Sequence, residues 1–134
     1  MPKPPKIVEL SNLIKRHDFN FATEAELQDG IAAILPEDAE REVQLGPKDR
    51  IDFLVDGIGI EVKIGGSSSE VFRQLFRYAK HDQVKSLLLV TTRSSHQTMP
   101  LYIGGSVDDP RAASLGERDG DVDLVVCLLV GASL

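Results

Sequence analysis

The chain has 134 residues, enough for one compact domain and too few for a second independent core. Hydrophobic residues make up 42% and charged residues 27%, which excludes wholesale disorder, and the longest apolar stretch, Leu124 to Val130, is too short to cross a bilayer. The formal net charge of −6 does not advertise a nucleic-acid binder, yet phosphate contacts depend on where the basic residues sit, and a site made of carboxylates adds negative charge of its own.

Residues 1–20 carry prolines and mixed charges with little periodicity and read as an N-terminal arm. They lack the apolar core of a signal peptide, so a cytoplasmic protein with no membrane contact is expected. A helix then begins at Thr23, with Glu26 completing a capping box and Leu27, Ile31 and Ile34 on one face; Pro36 ends it. Three strands follow. Glu40 to Leu45 is closed by Gly46-Pro47, Arg50 to Val55 alternates with Ile51, Phe53 and Val55 on one face, and Ile58 to Ile64 alternates in turn. Asp56-Gly57 between the last two is the dipeptide that a tight type I′ hairpin prefers.

Gly65-Gly66 breaks the pattern, and Ser67 with Glu70 forms a second capping box for a helix over about Ser69 to His81. Ser86 to Thr92 reads as a strand covered on both faces. A loop-rich insert over residues 94–121 includes Gly104-Gly105 and Asp108-Asp109-Pro110, and Val122 to Val130 is the last strand. The lone cysteine, Cys127, lies within that apolar strand and reads as a small buried hydrophobe. His81 and His96 show no ligand spacing and are expected at the surface. The order is α-β-β-β-α-β-(loop)-β, an α/β domain with a mixed central sheet flanked by helices.

The hairpin carries the chemistry. A two-residue turn at Asp56-Gly57 pairs Val55 with Ile58, Phe53 with Ile60, and Asp52 with Glu61, setting two carboxylates roughly 5 Å apart. Like charges so placed are destabilising, and a chain selected only to fold has little reason to put them among Ile, Phe and Val. A divalent cation removes the conflict, because Mg²⁺ is commonly held by one or two carboxylates with water and phosphate oxygens in its other positions. Lys63, two residues beyond Glu61, projects from the same face, where it can orient or deprotonate an attacking water or steady charge on a phosphate. Arg73 and Arg77, four apart on one helix and followed by Lys80, His81 and Lys85, put like charges close together, which suggests phosphate contacts and a nucleic-acid-binding role for Arg73, Arg77 and Lys80; neutralisation by the chain's many acids is the alternative.

Ile51-Asp52, an eight-residue gap, then Glu61-Val62-Lys63 resembles the signature of the PD-(D/E)XK nuclease superfamily. Gln74-Leu75-Phe76-Arg77-Tyr78 has the Gln-x-x-x-Tyr spacing of RecB-like members, and Glu24-Ala25-Glu26-Leu27-Gln28 resembles the helix segment that supplies an extra acid. The likeness covers about residues 23–92; Ile51 stands where a proline often precedes the aspartate. It implies a restriction-endonuclease-like αβββαβ core and a Mg²⁺- or Mn²⁺-dependent nuclease acting on DNA, with RNA the weaker option. Asp52, Glu61 and the Val62 carbonyl would hold the metal. Lys63 would be catalytic, and Gln74 and Tyr78 would orient site residues or the DNA. Of the two helix acids Glu24 is preferred, since Glu26 already serves the capping box. A homodimer that cuts two strands is compatible with so small a chain. The rival reading is a nuclease-like domain without useful activity that binds nucleic acid or a protein partner.

Overall fold

The structure, a computed structural model of the chain, describes residues 5–98, 102, 103, 112, 113 and 122–129. The expected N-terminal arm over residues 1–20 is corrected: Pro5–Lys15 is a helix, α1. Proline suits the first helical position, where its missing N–H costs nothing and its φ is already helical. Ile7, Leu10 and Ile14 then recur at helical spacing and are buried. Residues 1–4 lie outside the described residues.

Helix α2 (Glu24–Ile34) starts where the capping box places it. The Thr23 hydroxyl accepts from the Glu26 amide at 3.2 Å. The Glu26 carboxylate in turn accepts from the Ala22 amide at 3.3 Å and from the Thr23 hydroxyl at 3.2 Å. Leu35, at ψ 156°, adopts the extended conformation that Pro36 imposes on the residue before it. Strands β1 (Glu40–Gln44), β2 (Arg50–Val55) and β3 (Ile58–Lys63) follow. Asp56 at φ 49° and Gly57 at φ 76° give the hairpin turn the two positive φ values of type I′. Helix α3 (Ser68–Ala79) is capped by the Ser67 hydroxyl, which accepts from the Glu70 amide at 3.1 Å.

Strand β4 (Ser86–Thr91) is buried along its whole length. Within the segment read as a loop-rich insert, a short 3-10 helix spans Ser94–Thr98, and Tyr102–Ile103 (β5) and Ala112–Ala113 (β6) are two-residue strands. Residues 99–101, 104–111 and 114–121, with Gly104-Gly105 and Asp108-Asp109-Pro110, lie outside the described residues. The last strand, β7, spans Val122–Leu128.

Among the described residues seven strands form one mixed sheet in the order β1-β2-β3-β4-β7-β5-β6. Neighbours β1, β2 and β3 are antiparallel, while β3-β4 and β4-β7 are parallel. The protein is thus α/β, with α1 and α2 packed on one face and α3 on the other. Leu88 and Val90 of β4 face α1 and α2, and Leu87 and Leu89 face α3, so both faces of this strand are dry. Among the described residues no helix is long and apolar enough to cross a membrane.

One departure from regular alternation shapes the surroundings of Asp52. The spacing predicts Ile51, Phe53 and Val55 on one face, but only Phe53 and Val55 pack with α1 and α2. Ile51 packs on the α3 side, its side chain filling the space above Gly59, beside Leu87 and Val84. Strand β1 changes face with it: Arg41, paired with Phe53, lies over the Phe53 ring at 5.7 Å, whereas Val43, paired with Ile51, packs towards α3. Between them sits Glu42 at φ 54°, a left-handed conformation that is costly for a residue with a Cβ. The β1–β2 ribbon therefore turns over at Glu42 and Asp52, and Asp52 is the pivot.

Candidate metal and phosphate site

At the pivot the β2–β3 ladder stops one pair short of expectation. Pairing runs from Val55–Ile58 to Phe53–Ile60, and Asp52 does not pair with Glu61 through the backbone. Side chains take the place of the missing rung. The Val62 amide donates to Asp52 Oδ2 at 2.8 Å, and the Asp52 amide donates to Glu61 Oε1 at 3.3 Å. The two carboxylates are neighbours as the sequence predicts, but each is threaded into the other strand's backbone.

Their electrostatics follow from this placement. Burial pushes the Glu61 carboxyl up to about 8, the Asp52 charge adds to the rise, and Lys63 opposes it. Asp52 is also raised, first by burial and then by the charge of Glu24, against the pull of the Val62 amide. With Glu61 buried and Asp52 half-buried beside it, the pair holds a proton in preference to carrying both charges. Lys63 Nζ stands 3.5 Å from Glu61 Oε2, which ties the three sequence-predicted residues into one cluster.

The flanking helices hold this cluster in place. Glu24 Oε1 accepts from the Ile64 amide at 3.1 Å, fixing the first turn of α2 to the end of β3. Glu26, the alternative helix acid, is occupied in its cap. From the other side, Gln74 donates to the Tyr78 hydroxyl at 2.7 Å, and that hydroxyl donates to the Arg50 carbonyl at 3.0 Å, just ahead of Asp52. Burial, then the charges of Glu61 and Asp52, drive the Tyr78 pKa upward, so its hydroxyl keeps its proton. A cleft of about 570 Å³ opens beside the cluster, with Glu24, Lys63, Gly65, Gln74 and Arg77 in its walls. The basic residues of α3 and its C-cap separate here: Arg77 lines the cleft, while Arg73 and Lys80 do not.

The donor set suits a hard cation of modest protein coordination. Two carboxylates each keep an oxygen not committed to a backbone amide, and a cation would offset both the burial and the neighbouring negative charge that raise their proton affinity. Glu24 is not part of a closed cage: among the described residues no three His, Cys, Asp or Glu side chains converge to enclose an ion.

Two further polar residues escaped sequence reasoning. His96, expected at the surface, is completely buried, with Nδ1 2.6 Å from the Thr91 hydroxyl and Nε2 2.9 Å from the Gly66 carbonyl. A carbonyl only accepts, so Nε2 carries a proton, and the ring clamps the glycine turn at the cleft to the end of β4. His81, also expected at the surface, is partly buried beside Asp49, its Nε2 2.9 Å from Asp49 Oδ2. Neither contact has a local sequence signal, since each joins residues about thirty positions apart. No family model, curated protein or solved structure matches the chain.

Proposed function

We propose that the protein is a metal-dependent nuclease of restriction-endonuclease-like type, acting in the cytoplasm on phosphodiester bonds in DNA. The observation that carries this reading is the carboxylate pair of half-buried Asp52 and buried Glu61, with Lys63 at 3.5 Å from Glu61, set beside a cleft. Asp52 and Glu61 would hold Mg²⁺ or Mn²⁺, with the Val62 carbonyl as a further donor. Once bound, the cation supplies charge that stabilises the phosphoryl transition state and lowers the pKa of water. Lys63 has the position to orient the attacking water and to steady charge developing on the phosphate. Glu24 fixes the strand end that carries Lys63, and Gln74 with Tyr78 fixes the approach to Asp52. A homodimer would bring two such sites to the two strands of a duplex.

A cleavage screen over single-stranded, duplex and branched DNA and over RNA, with Mg²⁺ and Mn²⁺, tests the proposal, with Lys63→Ala as control. DNA cleavage lost in the control is the expected result. One observation favours the rival, a nuclease-like domain that binds without cutting: no third acid closes on the pair among the described residues. Calorimetric titration with Mn²⁺ separates the two, since absence of both binding and cleavage would leave only the rival.

A further inference from the structure

The basic side chains Arg73 and Arg77 of α3 and Lys80 at its C-cap are held in different ways. Arg73 is exposed and turns back on its own helix, its Nε donating to the Ser69 carbonyl at 3.3 Å. Lys80 Nζ lies 5.0 Å from the centroid of the Phe76 ring. Arg77 alone borders the cleft, together with Lys63 and Gln74. Its Nε donates to Asp49 Oδ1 at 3.1 Å, and its side chain is still 53% exposed. Beyond Asp49 its guanidinium has no ion-pair or hydrogen-bond partner among the described residues.

Asp49 is itself fixed. Its Oδ2 is engaged by His81, and its carbonyl accepts from the Leu45 amide at 2.8 Å and the Gly46 amide at 3.3 Å. The His81 hydrogen bond, with Arg77, holds its carboxyl below the usual range, so Asp49 is a constant anchor at neutral pH. A guanidinium tied at Nε keeps its two terminal amino groups as a planar fork, the shape that matches two oxygens of a phosphate. Holding the fork in advance also reduces the side-chain entropy lost on binding.

We infer that Arg77, positioned by Asp49, is the residue through which the cleft grips a backbone phosphate of a DNA strand, and that Arg73 and Lys80 take no part. The choice of DNA rests on the proposed function; the division among the three cations rests on their contacts alone.

Binding of fluorescein-labelled single-stranded and duplex oligonucleotides, measured by anisotropy in EDTA, tests this without any cleavage step. Over about 50 to about 200 mM salt, Arg77→Gln should weaken binding about tenfold and lower the salt slope by about 1. Arg73→Gln and Lys80→Gln should stay close to the parent protein. Asp49→Ala should weaken binding while keeping the salt slope, and should add nothing on an Arg77→Gln background, because it acts only through Arg77. Circular dichroism and Arg77→Lys, which keeps the charge but loses the fork, separate these effects from misfolding. Equal losses in all three cation variants, additivity of Asp49→Ala with Arg77→Gln, or no binding by the parent protein would each overturn the inference. Binding that follows the expected pattern without cleavage in Mg²⁺ or Mn²⁺ would overturn the nuclease proposal and leave this inference standing.

Discussion

At its closed end the β2–β3 hairpin keeps an ordinary ladder, with Val55 opposite Ile58 and a two-residue turn whose positive φ values fall on Asp56 and Gly57. At its open end, only a few residues along the same strands, the backbone rungs give way to carboxylates and the neighbouring Glu42 is forced to φ 54°. The closed end keeps its backbone rungs, and its turn is tied down by ordinary contacts, the Gly57 carbonyl accepting from the Lys85 amide at 2.7 Å and the Ser86 amide at 3.2 Å. The open end leaves two amides to be satisfied by half-buried Asp52 and buried Glu61, whose removal from water raises their proton affinity. Regularity at one end and strain at the other is what separates a folding device from a candidate reactive site in one hairpin.

The largest expected effect lies at the open end. Lys63→Ala, Asp52→Asn and Glu61→Gln should each lower DNA cleavage by about 10²–10³-fold or more, judged by the scale of losing one transition-state contact, with circular dichroism unchanged. Retention of full cleavage by all three would remove the chemical meaning of the strain.

The pH response should sharpen the same contrast. Glu61 binds its proton more tightly in the native state, with a pKa of about 8 against 4.5 ordinarily, so the unfolded chain releases that proton first as pH rises. Between those values the native state holds more protons, and stability in EDTA should fall as pH increases; the raised Asp52 works in the same direction. Urea unfolding midpoints at about pH 5 and about pH 8 should show the fall, and Glu61→Gln should flatten it. Mn²⁺ at the higher pH should restore stability to the parent protein and not to Glu61→Gln. A parent protein whose stability is flat over this range would mean the pair is not in conflict.

Smaller effects come from the backbone. Gly57→Ala should cost about 1–2 kcal/mol in urea unfolding, because φ is 76° there and a Cβ would lie 2.8 Å from Lys85 Cγ. Mn²⁺ binding should be unaffected, since the closed end carries no ligand. Glu42→Gly should stabilise by up to about 1 kcal/mol by removing the left-handed penalty, offset in part by glycine's greater chain entropy. A loss of stability in that variant would show that the Glu42 side chain holds the pivot by its contacts.

Much of the frame was legible because its signals are local. Both capping boxes, the Asp56-Gly57 turn, the proline stop at Pro36 and the dry strand β4 each depend on residues a few positions apart. The helix at Pro5–Lys15 was not read, because the surrounding prolines and charges obscured the spacing of Ile7, Leu10 and Ile14, which packing makes meaningful. His96 gave no such signal. Its burial depends on Gly66 and Thr91 arriving on either side of it, and a histidine among serines reads as surface in one dimension.

For the site, the sequence by itself determined that Asp52, Glu61 and Lys63 would be neighbours, because a two-residue turn sets register and strand alternation sets the face. Only the tertiary structure decided how they meet. The ribbon turns over at Asp52 since Ile51 fills the space that Gly59 leaves beneath α3, while Phe53 stays with α1 and α2. That reversal removes a backbone rung and draws the carboxylates into the gap, and it depends on which helix covers which face of the sheet. The same dependence selects Arg77 from the basic residues of its helix. Charge and spacing are properties of a segment, but a fixed orientation requires the distant Asp49 to be brought beside it.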